Sequence, residues 1–427
     1  MSKARLQVPR GTRDFYPEDL RRREWLFGHF RAVSRRFGFE EVDAPILEHE
    51  ELFTRKAGEE ILDQLYHFEL HGRRLALRPE MTPSIARMVM ARSGSLRLPL
   101  RWFTVTQNWR YERMTRGRKR EHYQWNMDIW GETSVSAEAE LIAAVFDLLD
   151  AVGLARRDVK VRINSRALLE ETLRNTILAD RPQAFPALCV AIDKHEKIGK
   201  AAVRDLLIDP DGPVGLGADD ADFVIAWLGL RKVEDTAQHV PADSRAYADL
   251  QRLFDLLDAY GLSDRVLFDA SIVRGLAYYT GIVFEAFDAD RTLRAICGGG
   301  RYDGLVESLG GPTIPAVGFG FGDVVISELL SDKKLLPEPP RQLDAVVFPF
   351  GEDERAAAIR VASALRRERQ WSVELRLGTQ RLKRVLADAH RAGARFLYLL
   401  GPDELARGEV LIRDLDSGEQ TTEPLPS

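Results

Sequence analysis

Cysteine is almost absent from this chain: of 427 residues only Cys189 and Cys297 carry a thiol, far apart and in no CxxC pair. That excludes a disulfide framework and gives no support to a thiolate metal site. Histidine is scarce too, eight residues scattered without ligand spacing, so no metal centre is expected. No run of about 18 apolar residues occurs, and residues 1–9 lack the apolar stretch of a signal segment, so a cytoplasmic protein without a membrane partner is the expectation. An excess of positive charge is also missing. At a net charge of −5 the overall field does not advertise nucleic-acid binding, and any RNA contact must come from local basic patches. What is present, 45% hydrophobic and 30% charged residues, suffices for a sizeable core and two or three domains.

The densest chemistry lies in residues 109–131. Arg110, Glu112 and Arg113 come first, a basic loop follows (Arg116, Gly117, Arg118, Lys119, Arg120), and Gln124, Asn126 and Asp128 then alternate with Trp125, Met127, Ile129 and Trp130. Period-two alternation at both ends predicts antiparallel strands joined by a cationic loop, with Arg110, Glu112, Gln124 and Asp128 on one face. Residue types alone allow a solvated hairpin or a fixed polar floor. The second needs the opposite face to be packed, and Trp109, Trp125 and Trp130 are the residues expected to pack it.

Upstream, Leu26, Phe30, Val33 and Phe37 recur at helical spacing and Gly38 closes the helix, before a strand entry that ends at Pro45. Residues 73–77 read as a strand, and a helix begins near Ser84. Between them Pro79 and Pro83 bracket Glu80 and Thr82 in a rigid loop. Those side chains suit an ammonium group, but the residue types alone favour helix caps. Ser136 can cap a helix through Leu141, Ile142, Val145 and Leu149 that Gly153 ends, and Val159, Val161 and Ile163 alternate as a strand. The next stretch, about 165–262, is helical without a readable motif.

Residues 281–285 and 293–297 are expected to pair as strands around a turn at 288–290. They lead into Gly298-Gly-Gly-Arg-Tyr-Asp303, where glycines can let a ligand or a backbone come close; no Lys-Ser/Thr follows, so this is not a Walker-type phosphate loop. Residues 318–322 then open a helix through Val325 and Leu329. Residues 331–342, with three prolines and a charge cluster, form the best boundary in the chain. Residues 343–427 alternate strand and helix as a small α/β domain whose second helix carries Arg381, Lys383, Arg384 and Arg391.

Three stretches, in this order, resemble the histidyl-tRNA synthetase family of class II aminoacyl-tRNA synthetases. Arg110-Tyr-Glu-Arg113 with its loop and residues 124–128 is similar to motif 2, while Arg274-Gly-Leu-Ala-Tyr-Tyr-Thr280 and Gly299-Gly-Arg-Tyr-Asp303 resemble the two signature segments of that family. The helix and strand before Pro45 resemble motif 1, which builds the family's dimer interface; the pattern alone fits a helix packed inside its own domain nearly as well. The resemblance implies an α+β fold, a class II antiparallel sheet flanked by helices over residues 1–330, interrupted by a helical insertion near the tRNA acceptor stem. An anticodon-binding α/β domain over 343–427 would close the chain.

The resemblance also implies a homodimer that activates L-histidine with ATP and Mg2+ and transfers it to tRNA(His). Both attacking groups belong to substrates, so catalysis is alignment and charge stabilisation, a task suited to the planar arginine fork. Arg110 and Arg274 are the α-phosphate arginines it implies, with Glu112 at the adenine amino group and Arg118 near the outer phosphates. Glu80, Met81 and Thr82 fall to the histidine α-amino group, and Gln124, Tyr278, Arg110 and Arg274 to the same pocket. Neutral imidazole has one donor and one acceptor, which Asp128 and Tyr279 can satisfy, and other amino acids would leave such groups unpaired. Arg116, Arg118, Lys119 and Arg120 are expected at the tRNA.

Three positions depart from the common spelling: Ala277 stands for Asp, Asp128 for Glu, and Asp323-Val-Val325 where motif 3 has a triphosphate-gripping arginine. Plant organellar members share these spellings. The missing arginine also fits a non-catalytic paralogue that regulates ATP phosphoribosyltransferase, whereas Arg110, Glu112, Gln124 and Arg274 together, and the C-terminal domain, oppose it. A prolyl enzyme would not need Asp128 with residues 274–280.

Overall fold

The computed structural model describes residues 6–55, 63–273, 278–338, 341, 343–378 and 380–426. The strands up to residue 322 are β1 (Glu40–Glu41), β2 (Leu47–His49), β3 (Tyr66–Leu70), β4 (Arg73–Leu77), β5 (Leu100–Trp109), β6 (Glu121–Trp130), β7 (Val159–Ser165), β8 (Val266–Phe268), β9 (Ile282–Asp288), β10 (Cys297–Arg301) and β11 (Ala316–Gly322). Eight of them join in the order β1-β5-β6-β11-β10-β9-β7-β8, and β2-β4-β3 form a second sheet. The large sheet is antiparallel except at its margins, where β1 meets β5 and β8 meets β7 in parallel. The α+β expectation holds.

The predicted hairpin, β5 with β6, lies within this sheet, and its register separates two faces. On one, Phe103, Trp125, Met127, Val317, Phe319 and Phe284 are buried against the helices Pro17–Arg36 and Ser136–Ala151. Trp125 stacks on Phe30 at 5.2 Å and donates its indole N–H to Ser34 at 2.8 Å, so the helix resembling motif 1 packs within its own unit. The other face carries Thr104, Thr106 and Asn108 opposite Asn126, Gln124 and His122, with Asp128 opposite Gly318 on β11.

Several expectations need correction. β5 ends at Trp109, so Arg110 and Glu112 lie in the connecting segment rather than on the strand face. The reason is local: the Arg110 N–H bonds the Arg120 carbonyl at 2.8 Å and the Glu112 N–H bonds that of Arg110 at 2.9 Å, closing the neck of the loop. Trp130 has the parity of Asp128 and packs beside Tyr302 at 5.7 Å, not on the opposite face. Trp109 stands edge-on to Tyr66. Ser136 is the first residue of its helix and caps nothing; the N-cap position is Val135.

The partner strand of β9 is the glycine run itself, not residues 293–297. A Cβ at Gly299 would lie 2.4 Å from the Gly318 carbonyl oxygen and 2.6 Å from the Phe284 ring, and one at Gly300 2.6 Å from the Ile282 carbonyl oxygen. These glycines are there for close packing of strands on both faces, not for a turn.

Helices Arg166–Arg174, Phe185–Asp193, His195–Ile208, Ala218–Trp227 and Arg245–Ala259 fill the stretch between β7 and β8. The chain divides into compact units Met1–Pro337 and Glu338–Ser427, a divide that falls inside the proline-rich stretch 331–342. In the second unit β12 (Ala345–Pro349), β13 (Val373–Leu375), β14 (Phe396–Leu400), β15 (Glu409–Asp414) and β16 (Gln420–Pro424) join in the order β13-β12-β14-β15-β16. Ala357 and Val361 of helix Arg355–Glu368 pack with Ala345 and Val347, while Val385 and Ala389 of helix Leu382–Arg391 pack with Val346 and Phe348. The alternating parity puts one helix on each face of the sheet.

Candidate functional site

The polar face of the sheet is unfinished as a hydrogen-bonding surface. Among the described residues, Thr104 Oγ1, Thr106 Oγ1, Asn108 Oδ1, Asn126 Oδ1, Asp128 Oδ2 and Trp130 Nε1 are buried without a partner, all on this one face by register. A buried polar atom left unpaired costs about 1–3 kcal/mol, so such a row is built to be completed by ligand or water.

Asp128 lies at its centre, 1% exposed. Its Oδ1 accepts the Tyr302 hydroxyl, which leaves Oδ2 as a buried acceptor. Burial pushes the carboxyl up to about 7, with the Glu80 charge adding to it and the Tyr302 bond opposing it. The Tyr302 phenol is pushed well above its usual range by the same burial and by the adjacent Asp128. A Cβ at Gly318 would fall 2.2 Å from Asp128 Oδ1, so only glycine leaves room for this pair. The rings of Tyr278, Tyr279 and Tyr302 stand 5.1–6.3 Å apart around it. Sequence reasoning missed Tyr302, although it stands in the Gly-Gly-Arg-Tyr-Asp signature; the local pattern could not show that its hydroxyl meets an acid 174 residues away.

Glu80, Met81 and Thr82 are brought to the same pocket by the start of helix Thr82–Arg92. Neither polar side chain caps it, contrary to what the residue types favoured: Met81 holds the cap position and no side-chain cap bond forms. Glu80 instead accepts the Tyr278 hydroxyl at 2.9 Å, and Met81 and Tyr302 belong to one apolar cluster with Tyr279. Gln124 accepts from Asn108 at 3.1 Å through its carbonyl oxygen.

Next to this pocket a cationic corner gathers. His122 is held down to about 3 by burial and then by the charges of Arg110, Arg13 and Arg118, so the imidazole is neutral in a positive field. Arg110 donates from Nε to the Pro79 carbonyl at 2.9 Å, and its two Nη groups have no partner among the described residues. Glu112, nearly buried, is ion-paired with Arg118. Arg13 was not singled out from the sequence; it bridges Glu121 at 2.7 Å and Asp323 at 3.0 Å, and Asp323 also takes the Tyr123 N–H at 2.8 Å. Asp323, at the departed motif 3 position, therefore ties the helix Asp323–Asp332 to β6.

The basic loop lies along that same helix. A Cβ at Gly117 would sit 3.3 Å from Val325, Arg116 pairs with Glu328 at 3.1 Å and Asp332 at 2.6 Å, and Arg120 covers the Tyr111 ring at 3.8 Å. Lys119 forms no ion pair among the described residues, and Arg113 is exposed. Arg274, like Ala277, lies outside the described residues.

Residues 11–322 match the family model described as histidyl-tRNA synthetase, and residues 344–425 one described as an anticodon binding domain. The chain is 50% identical over 413 residues, 96% of its length and 84% of the relative's, to the histidine–tRNA ligase, chloroplastic/mitochondrial, of Arabidopsis thaliana. It is 40% identical to the histidine–tRNA ligase of Opitutus terrae over 97% of this chain and 95% of that one. Among solved structures, histidyl-tRNA synthetase from Nostoc sp. PCC 7120 shares the fold with TM-score 0.78 at 24% identity, covering 99% and 97% of the two chains. A Bacillus halodurans protein titled an ATP phosphoribosyltransferase regulatory subunit/histidyl-tRNA synthetase superposes with TM-score 0.75 at 25% identity over 93% of this chain and 98% of that one.

Proposed function

Because this chain belongs to the histidyl-tRNA synthetase family, we propose that the residues gathered around Asp128 and Arg110 carry out that family's two-step reaction. In the first step the histidine carboxylate attacks the α-phosphate of ATP, forming histidyl-adenylate and releasing pyrophosphate; in the second, a ribose hydroxyl of the tRNA displaces AMP. The observation that carries the assignment of residues is Asp128, a buried carboxyl with one oxygen occupied by Tyr302 and the other waiting for a donor. An imidazole N–H supplies that donor. Tyr279 lies in the same cluster and suits the other ring nitrogen. Glu80 and Thr82 take the ammonium group, with Met81 packed beneath them, and Gln124 keeps its amide hydrogens for the substrate because Asn108 occupies its oxygen.

On the nucleotide side, Arg110 offers to the α-phosphate an Nη pair without a partner among the described residues, with Arg274 as its counterpart. Glu112 and Arg118 now satisfy each other. ATP would exchange that ion pair for two new contacts, adenine amino group on Glu112 and outer phosphate on Arg118. Among the described residues no group of three or more His, Cys, Asp or Glu could hold a metal. Mg2+ would arrive on the phosphate oxygens of ATP and neutralise part of their charge.

Arg116, Arg118, Lys119 and Arg120 form the patch for the tRNA acceptor end, and Lys383, Arg384 and Arg391 that for the anticodon, contacts that would weaken with salt. The C-terminal match and the ligases among the relatives favour this reading over the regulatory paralogue. Among the described residues no helix is long and apolar enough to cross a membrane. A cytoplasmic site of action belongs to the proposal, and the compartment in the name of the Arabidopsis relative is its alternative.

The deciding measurement is exchange of labelled pyrophosphate into ATP. Exchange with histidine and none with proline is expected; folded protein that binds histidine but exchanges nothing would overturn the reading.

A homodimer is proposed on a separate observation. Leu47, Phe68 and Leu70, 40%, 45% and 50% exposed, share one face of the β2-β4-β3 sheet with Leu75 and Leu77. An apolar stripe on an open sheet face marks an interaction surface, and a second copy fits it. Sedimentation should show the wild type as a dimer and Phe68→Glu with Leu70→Glu as a monomer; a wild-type monomer would remove the proposal.

A further inference from the structure

Arg78 stands between β4 and the helix Thr82–Arg92, and it is 4% exposed. Its guanidinium joins three segments: Nη1 donates to the Ala44 carbonyl at 2.6 Å, Nε to the Gln107 carbonyl at 2.9 Å, and Nη1 also lies 3.5 Å from Met81 Sδ. Its one carboxylate partner among the described residues is Asp43 at 3.4 Å, and that side chain is 75% exposed. The backbone on either side is equally tied. The Arg78 N–H donates to the Ile46 carbonyl and the Trp109 N–H to the Arg78 carbonyl, both at 2.9 Å.

A buried cation compensated mostly by carbonyl dipoles is an expensive way to pack a loop, and an apolar residue would do that alone. What this cation has next to it is the substrate apparatus. The following residue, Pro79, supplies the carbonyl that holds Arg110 Nε at 2.9 Å; the next, Glu80, is the carboxylate bonded to Tyr278; the next, Met81, touches the guanidinium itself. One rigid fork therefore sits behind both the ammonium site and the α-phosphate arginine. Lysine could not reproduce it, because a point charge on a flexible stem cannot span carbonyls of two segments in one plane.

We propose that Arg78 is a positioning residue for histidine activation: it fixes the Pro79 carbonyl, and through it the aim of Arg110, in register with Glu80. The proposal rests on the ligase reading above. In that reading Arg78 touches neither substrate, so it acts through Arg110.

The test is single-turnover adenylate formation in the full-length protein for wild type, Arg78→Lys, Arg110→Ala and the double variant, with thermal melting to establish folding. Arg78→Lys should lower the rate at saturating substrates about 10- to 100-fold, the scale of a misplaced reacting group, while KM for histidine moves by less than about threefold. In the Arg110→Ala background the same change should cost less than about threefold, since the residue it acts through is gone. An unchanged rate in Arg78→Lys, or a loss carried in full into the Arg110→Ala background, would overturn the proposal and leave the ligase reading intact. If Arg78→Lys does not fold, Arg78→Gln replaces it; failure of both to fold would assign the guanidinium to the fold alone and likewise overturn the proposal. A wild type without histidine-dependent adenylate would overturn both.

Discussion

Arg110→Ala is expected to slow histidyl-adenylate formation about 10³-fold, roughly 4 kcal/mol of transition-state stabilisation, in a protein that remains folded. The two halves of that expectation come from different observations. The fold should tolerate the change because, among the described residues, the side chain makes a single hydrogen bond, to the Pro79 carbonyl, and losing one such bond costs about 1 kcal/mol. The chemistry should not, because the Nη pair is the part of Arg110 with no partner among the described residues, and it is the part that a phosphate would engage in a bidentate way. Arg110→Lys keeps the charge but loses the fork, and should fall between the two. Single-turnover measurement separates the cases: a raised KM for ATP with an unchanged rate would mean that Arg110 binds ground state and transition state alike, which is not the role assigned to it.

Much of this site could be read from local pattern because its strands alternate cleanly. The second strand of the expected hairpin forms, over residues 121–130, Gln124 and Asp128 share a face, and the α/β order of the second unit follows its hydrophobic periodicity. What failed to read has physical reasons. Parity cannot say where a strand stops, and β5 stops at Trp109 because the loop neck captures the Arg110 and Glu112 N–H groups. The glycine run was legible as a place of close approach, but not what approaches it; Phe284 and the Gly318 carbonyl leave no room for any other residue at Gly299. Glu80 and Thr82 are the residue types that cap helices, so composition could not separate capping from ligand binding. The strand β16, Gln-Thr-Thr-Glu-Pro, is largely exposed and carries no hydrophobic signal at all. Tyr302 and Arg13 were invisible for another reason: each matters through partners far away in the chain.

Asp128→Asn should lower kcat/KM for histidine about 10³-fold and yet stabilise the empty protein at alkaline pH. The folded state raises this carboxyl from 3.8 to about 7, chiefly by burial. A raised carboxyl contributes fully to stability below pH 3.8, where it is neutral in both states; that contribution is lost as the pH climbs towards 7, because only the unfolded chain ionises freely. At pH 8 the wild type holds a buried charge bonded only by the Tyr302 hydroxyl among the described residues, and asparagine removes it. A gain on the order of 1–3 kcal/mol in urea unfolding at pH 8, shrinking to nothing near pH 4, is the expected result. Activation moves the other way. Asparagine can still accept the imidazole N–H but offers no charge and competes for Tyr302, so kcat/KM for histidine should fall about 10³-fold. Bound histidine gives Asp128 Oδ2 its missing donor and favours the carboxylate, so histidine should raise the melting temperature of the wild type at pH 8 and leave that of the variant unmoved. A variant no more stable than wild type at pH 8 would mean that burial is not what holds the carboxyl up, and a variant with undiminished kcat/KM for histidine would remove Asp128 from the imidazole. The two outcomes are independent, which is why this one substitution tests both the electrostatics of the pocket and its assignment.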